Sequence, residues 1–192
     1  MIRRLYDWTI SLASHPRALW ALAIVAFAES SFFPIPPDVV LIPMIIARPG
    51  RAFHYALVAT LASVAGALAG YLIGWGLFEQ LGQPILDLYG KTEDFSAFAE
   101  RYNSWGAWAV LIAGVTPFPF KVITIASGAT GLSLPIFILC AIIARALRFF
   151  LVALLLWRFG EPVRDFIERR LGLVFALLCL LFFGGFYLVR YL

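Results

Sequence analysis

The chain has 192 residues, 62% of them hydrophobic and only 14% charged. Soluble domains run at about 45–50% apolar and about 25% charged, so a soluble fold of this size could not hide so much apolar surface. The chain reads as an all-α integral membrane protein. Its net charge of +4 reads as arginine in cytoplasmic loops, and the chain lacks the aromatic–basic pattern that binds nucleic acid.

Residues 1–17 set Leu5, Trp8, Ile10 and Leu12 among Arg3, Arg4 and Asp7, which suits a short interfacial helix at the headgroup boundary rather than a signal peptide. Residues 18–48 hold two apolar arms, Ala18 to Phe33 and Asp38 to Ala47, about the break Pro34-Ile-Pro36-Pro37. Both arms fall short of the about 20 residues a full span needs, so together they are expected to enter the bilayer and turn back as a re-entrant hairpin. Residues 52–78 make a full transmembrane helix with Ala62, Gly66, Gly70 and Gly74 at four-residue spacing. Such a stripe of small residues serves close helix packing, within the chain or between copies in a homo-oligomer. Residues 79–104 form a polar connecting segment, with a surface helix expected around Thr92–Tyr102. Residues 105–131 repeat the hairpin plan about Pro117-Phe-Pro119. Residues 134–157 make a second full span carrying Arg145 and Arg148, and residues 171–189 make a last one.

Arginine orients these segments. Arg3, Arg4, Arg17, Arg48, Arg51 and the turn 158–170 fall on one side, which the positive-inside rule makes cytoplasmic together with the N-terminus. The first hairpin-plus-span unit then enters from inside and the second from outside. Two such units of opposite sense form an inverted repeat, with the working site expected at the midplane between them.

The charges in the apolar segments carry the chemistry. Glu29 lies within an arm, where an acidic side chain costs about 2.5–3.5 kcal/mol on insertion scales and a functional role is the default. Asp38 opens the returning arm and would serve either beside Glu29 or simply as a helix cap. Lys121, Arg145 and Arg148 face these two acids, and the three cations exceed the acids by one. That excess calls for an anion, most simply a phosphate headgroup. Desolvation favours the neutral form of a carboxyl, so Glu29 is expected to carry protons, with Asp38 as its partner. No cofactor motif and no metal-ligand spacing is present. Cys140 and Cys179 fall in apolar segments, and His15 and His54 in polar connections, without a Ser/His or HExxH arrangement, so an enzyme is not expected.

The pattern Glu29…Pro34-x-Pro36-Pro37-Asp38, the glycine-rich span, Pro117-Phe-Pro119-Phe-Lys121…Gly128 and Ala144-Arg-Ala-Leu-Arg148-Phe-Phe resembles the DedA family. That family is also called the VTT-domain or SNARE-associated family, and the chain is most similar to its short YqaA-like branch. The resemblance covers about residues 18–157. It implies opposed re-entrant hairpins with membrane-embedded acids and arginines. It also implies envelope maintenance in the bacterial inner (plasma) membrane and, for some members, translocation of undecaprenyl phosphate linked to the proton motive force. Glu29 and Asp38 match the acidic pair. The family's second hairpin commonly reads Arg-Phe-x-Pro-Gly-x-Arg; Thr116 stands where its first arginine would be and Lys121 only near its second, so Thr116, Lys121, Arg145 and Arg148 are the anion-binding candidates. The expected function is proton-linked transport of an anionic lipid or lipid carrier. The rival readings are a cation or drug/proton antiporter on Glu29 and Asp38, and a non-transporting assembly factor.

Overall fold

The computed structural model describes residues 17–33, 35–116 and 118–169, with side chains as far as Gly160. The expected interfacial helix over 1–17, save Arg17, and the span over 171–189 lie outside the described residues, as do Pro34 and Pro117 of the two breaks. Every regular element among the described residues is helical.

Helix α1 (Ala18–Ser31) and helix α2 (Asp38–Ala47) flank the first proline break. A 3-10 turn at Pro49–Arg51 leads into α3 (Ala52–Leu77), which continues through a π-helical turn at Phe78–Gly82 into the short α4 (Gln83–Leu88). Helix α5 (Thr92–Val115) and helix α6 (Phe120–Ala129) flank the second break, and α7 (Leu134–Arg169) follows. Gly90 and Gly131, at φ 62° and 67°, make the left-handed turns before α5 and α7.

The first span ends its α-helix at Leu77, within one residue of the expected 78, and the backbone stays helical through the π-helical turn into α4, where Pro84 sits in the first turn and proline is tolerated. Two boundaries differ from the sequence expectation. The surface helix near Thr92 and the apolar arm from Trp105 are one helix, α5. Asn103, the polar residue at their junction, donates its side-chain amide to the Thr130 carbonyl across 2.8 Å instead of interrupting the chain. The turn at 158–170 is helical as far as Arg169, with a kink at Phe159 (φ −124°, ψ 21°).

Helices α3 and α7 run antiparallel. Phe53 near the start of α3 meets Phe150 and Trp157 late in α7, whereas Tyr71 late in α3 meets Phe137 early in α7. Two apolar cores form along this pair. One gathers Leu22, Leu41, Ile45, Ala56, Ala59, Phe149 and Ala153 from α1, α2, the first half of α3 and the middle of α7. The other gathers Ala67, Tyr71, Val110, Phe120, Phe137 and Ala141 from the remaining halves and the second hairpin. The outward faces of the same helices are apolar too, with Leu57, Leu61 and Leu72 on α3 and Ile143, Leu147 and Leu154 on α7 exposed. Among the described residues, two stretches, Pro49–Leu88 and Leu134–Gly160, are long and apolar enough to cross a membrane.

The small-residue stripe explains how the helices meet. A Cβ on Gly66 would strike the Phe27 carbonyl of α1, and one on Gly74 the Ile125 carbonyl of α6. Gly70 lies between these crossings, against Thr124 and the Ser30 carbonyl, while Ala62 packs at the edge of the first core. One face of α3 therefore touches both hairpins at backbone distance, as small-residue spacing permits.

Candidate functional site

Between the two apolar cores lies a polar layer. On α3, Ser63 falls between Ala59 of one core and Ala67 of the other; on α7, Arg145 falls between Ala141 and Phe149. Arg145 is the twelfth residue of the 27-residue apolar stretch Leu134–Gly160, about 17 Å from its start at about 1.5 Å per residue. An arginine stem cannot reach either end from there. Snorkelling is thus excluded, and Arg145 is indeed only 1% exposed.

Arg145 is held from four sides. Its Nη2 donates to Glu29 Oε2 and its Nε to Ser63 Oγ, each across 2.6 Å. The Phe120 and Phe149 rings lie 4.9 and 4.7 Å from the guanidinium carbon, close enough for cation–π attraction. Ser63 Oγ and Ser30 Oγ are 2.6 Å apart, and Ser30 Oγ donates to Glu29 Oε2 across 3.1 Å. The direction of this ring follows from the inventory of protons. An ionised carboxylate only accepts, so the single Ser30 proton goes to Glu29. Ser63 must then give its proton to Ser30 and use a lone pair for Arg145. Glu29 Oε2 is the acceptor for both branches.

Helix α7 carries a second pair one turn on. Arg148 Nη2 donates to Asp38 Oδ2 across 2.5 Å, and Nη1 donates to the Thr116 backbone oxygen across 2.6 Å. That carbonyl closes α5 at the second break and is one of the four a helix end leaves unmatched, so the guanidinium satisfies it. Pro37 holds the cap position of α2 and Asp38 is its first residue, with Oδ2 on Arg148 and Oδ1 without a partner among the described residues, so Asp38 is not simply a helix cap. Thr116 enters the site through its backbone oxygen, while its hydroxyl turns back to the Ala113 carbonyl.

The five expected charges divide unequally. Arg145 with Glu29 and Arg148 with Asp38 form two buried or half-buried pairs. Lys121, half-buried at the start of α6, has no hydrogen-bond or ion-pair partner for its amine among the described residues. Two buried polar atoms of the pairs also lack a partner among the described residues: Arg145 Nη1 and Asp38 Oδ1. Ser30, Ser63 and Thr124 were not expected in the site. Thr124 Oγ1 lies 2.9 Å from both the Ser30 and the Lys121 carbonyls, linking α6 to the end of α1. The available signal was a lone hydroxyl, Ser63, in a 26-residue apolar helix, and a serine directly after the embedded acid.

A family model described as "VTT domain" matches residues 35–158, which take in the first break from Ile35 onward, the whole second break, Asp38, Ser63 and the two arginines, with Glu29 just outside. The chain belongs to the VTT-domain family. As the DedA resemblance implies, this VTT-domain chain is a membrane protein, and the exposed apolar faces of α3 and α7 are the lipid-facing surface such a protein needs. It is 35% identical over 168 residues to an uncharacterized protein of Haemophilus influenzae, covering 85% of this chain and 87% of that one. An uncharacterized protein of Histophilus somni is 38% identical over the same length and shares. A more distant uncharacterized protein, from Methanocaldococcus jannaschii, is 26% identical over 135 residues, 70% of this chain and 81% of the other. No solved structure matches the chain.

Proposed function

We propose that this VTT-domain protein is a transporter whose movement of an anionic lipid, or a polyprenyl phosphate carrier, across the bilayer is linked to proton binding. The observation that carries the reading is the midplane layer in which two arginines of one helix are each held by a carboxylate of the first hairpin. A buried ion pair in lipid stabilises little by itself and is costly to break, so such a layer is expected where charge must be exchanged. A phosphate presents the same oxygen geometry to a guanidinium as a carboxylate does and can take both of its edges. The unmatched Nη1 of Arg145 is an available first contact, and Lys121 is a second cation for the same anion. When the phosphate takes Arg145, Glu29 loses its counter-ion, and a proton neutralises it. Asp38 stands in the same relation to Arg148.

The short helices fit this reading. Helices α2 and α6 have 10 residues each, about 15 Å, or half of an about 30 Å hydrocarbon core. Each is suited to return from the middle of the bilayer, so the units α1–α2–α3 and α5–α6–α7 form opposed re-entrant hairpins with their spans. Arg17, Arg48, Arg51 and Arg158 then mark the cytoplasmic side of the inner membrane, with the N-terminus inside.

The test is a flipping assay in proteoliposomes with fluorescent anionic lipids and a polyprenyl phosphate, with and without an imposed pH gradient. Glu29→Gln and Arg145→Met are expected to abolish flux while the protein still inserts. Undiminished flux in both variants would overturn the assignment.

A further inference from the structure

A second site stands apart from the midplane layer. A cavity of about 380 Å³ opens where the end of α3, the π-helical turn, the start of α5 and the C-terminal end of α6 converge. The volume is at the lower end of the range for small-molecule sites, about 300–1,000 Å³. Trp75, Phe78 and Phe95 wall it, and the last two rings stack with centroids 4.4 Å apart. Glu79 lines it and has no hydrogen-bond or ion-pair partner among the described residues. No lysine or arginine among the described residues lines it, in a chain whose net charge is +4. The nearest basic residue in sequence, Lys91, is engaged by Asp94 at 3.3 Å.

Each of these features selects the same chemistry. The C-terminal end of the 10-residue α6, at Gly128–Gly131, brings a partial negative charge of about half an elementary unit. Aromatic faces attract cations through their ring quadrupole. The start of α5 at Thr92 brings the opposite partial charge, but the full charge of the Glu79 carboxylate outweighs it, so an anion is disfavoured. A metal ion such as calcium wants about six to eight oxygens, and the wall supplies one carboxylate among rings. A purely apolar guest would leave Glu79 and the hydroxyls of Thr92 and Ser96 unused. We propose that this recess binds an organic ammonium group, with Trp75, Phe78 and Phe95 around it and Glu79 as its counter-ion. The group can arrive as a free amine or as the headgroup of a zwitterionic lipid.

The test uses the full chain in nanodiscs of phosphatidylglycerol, titrated with choline while tryptophan fluorescence is followed. Its neutral isostere, 3,3-dimethyl-1-butanol, is titrated in parallel. A saturable change is expected with choline alone. It should vanish in Trp75→Phe, which removes the reporter, and weaken by about tenfold in Glu79→Gln, a difference of about 1.4 kcal/mol. Glu79 is exposed, so the Glu79→Gln variant should melt like the parent, which separates loss of binding from loss of fold. Equal response to the isostere, or unchanged affinity in Glu79→Gln, would overturn the proposal. Discs containing phosphatidylcholine then assign the source. A rightward shift of the choline curve supports the site with a lipid headgroup as its occupant, and an unshifted curve supports it with a free amine.

Discussion

The pair of Arg145 and Glu29 predicts an asymmetric double-mutant cycle. Glu29→Gln leaves a guanidinium that is 1% exposed with no counter-charge, and arginine cannot shed its proton. Breaking a buried pair in this way costs about 3–5 kcal/mol. Ser63 and the two phenylalanine rings remain, so the lower end of that range applies. Arg145→Met leaves Glu29, which is 12% exposed and can take up a proton; it then resembles an under-satisfied neutral group, costing about 1–3 kcal/mol. The double variant removes both charges at similar volume and should lie closer to the parent than Glu29→Gln does. The coupling energy should therefore exceed about 2 kcal/mol, near the upper part of the range for residues in direct contact. Reversible unfolding in mixed detergent micelles, followed by circular dichroism, measures all four proteins. Costs that add to within about 0.5 kcal/mol, or a costlier Arg145→Met than Glu29→Gln, would refute the reasoning.

Other variants separate the remaining parts of the site. Ser63→Ala removes the acceptor for Arg145 Nε and the donor for Ser30, so a loss of about 1–2 kcal/mol is expected in the same unfolding assay. Gly66→Ala places a methyl group on the Phe27 carbonyl and should lose about 1–3 kcal/mol, whereas Gly76→Ala, which faces open space, should be neutral or slightly stabilising by melting temperature. Tyr71→Phe frees the Leu132 carbonyl from its 2.6 Å partner and should cost about 1–2 kcal/mol. Lys121→Gln should leave stability within about 0.5 kcal/mol, because its amine holds nothing among the described residues, yet raise the KM for the anionic lipid in the flipping assay.

The division of the chain at its prolines was legible in the sequence, because each break sits in an apolar run where a freed carbonyl has no water to meet. Glu29, Asp38, Arg145 and Arg148 were legible for the same reason: charge in hydrocarbon stands out. Their pairing was not. Nothing in the spacing says that Arg145 reaches Glu29 and Arg148 reaches Asp38, since the contacts join residues 116 and 110 positions apart. The excess of cations pointed to an anion, and the structure narrows that excess to Lys121, with each arginine already engaged. The serines were hidden because hydroxyls are ordinary in apolar helices, where they bond back to their own carbonyls, as Ser31 and Thr60 do. Ser30 and Ser63 differ only in what the fold sets opposite them.

Arg148 holds the acid that follows the first proline break with one nitrogen and the carbonyl that precedes the second with the other. A single planar group is thus shared by the helix pair about the first break and the helix pair about the second. Neither pair can swing outward without vacating one edge of that plane. Under the proposed transport function, the vacated edge would receive the incoming anion, and opening on one side would be tied to a handover on the other. A lysine at this position would keep the charge but not the fork, since its compact ammonium lacks two parallel edges. The expected phenotype of Arg148→Lys is leakage between the two sides rather than loss of binding, to be seen as proton flux that no longer depends on lipid.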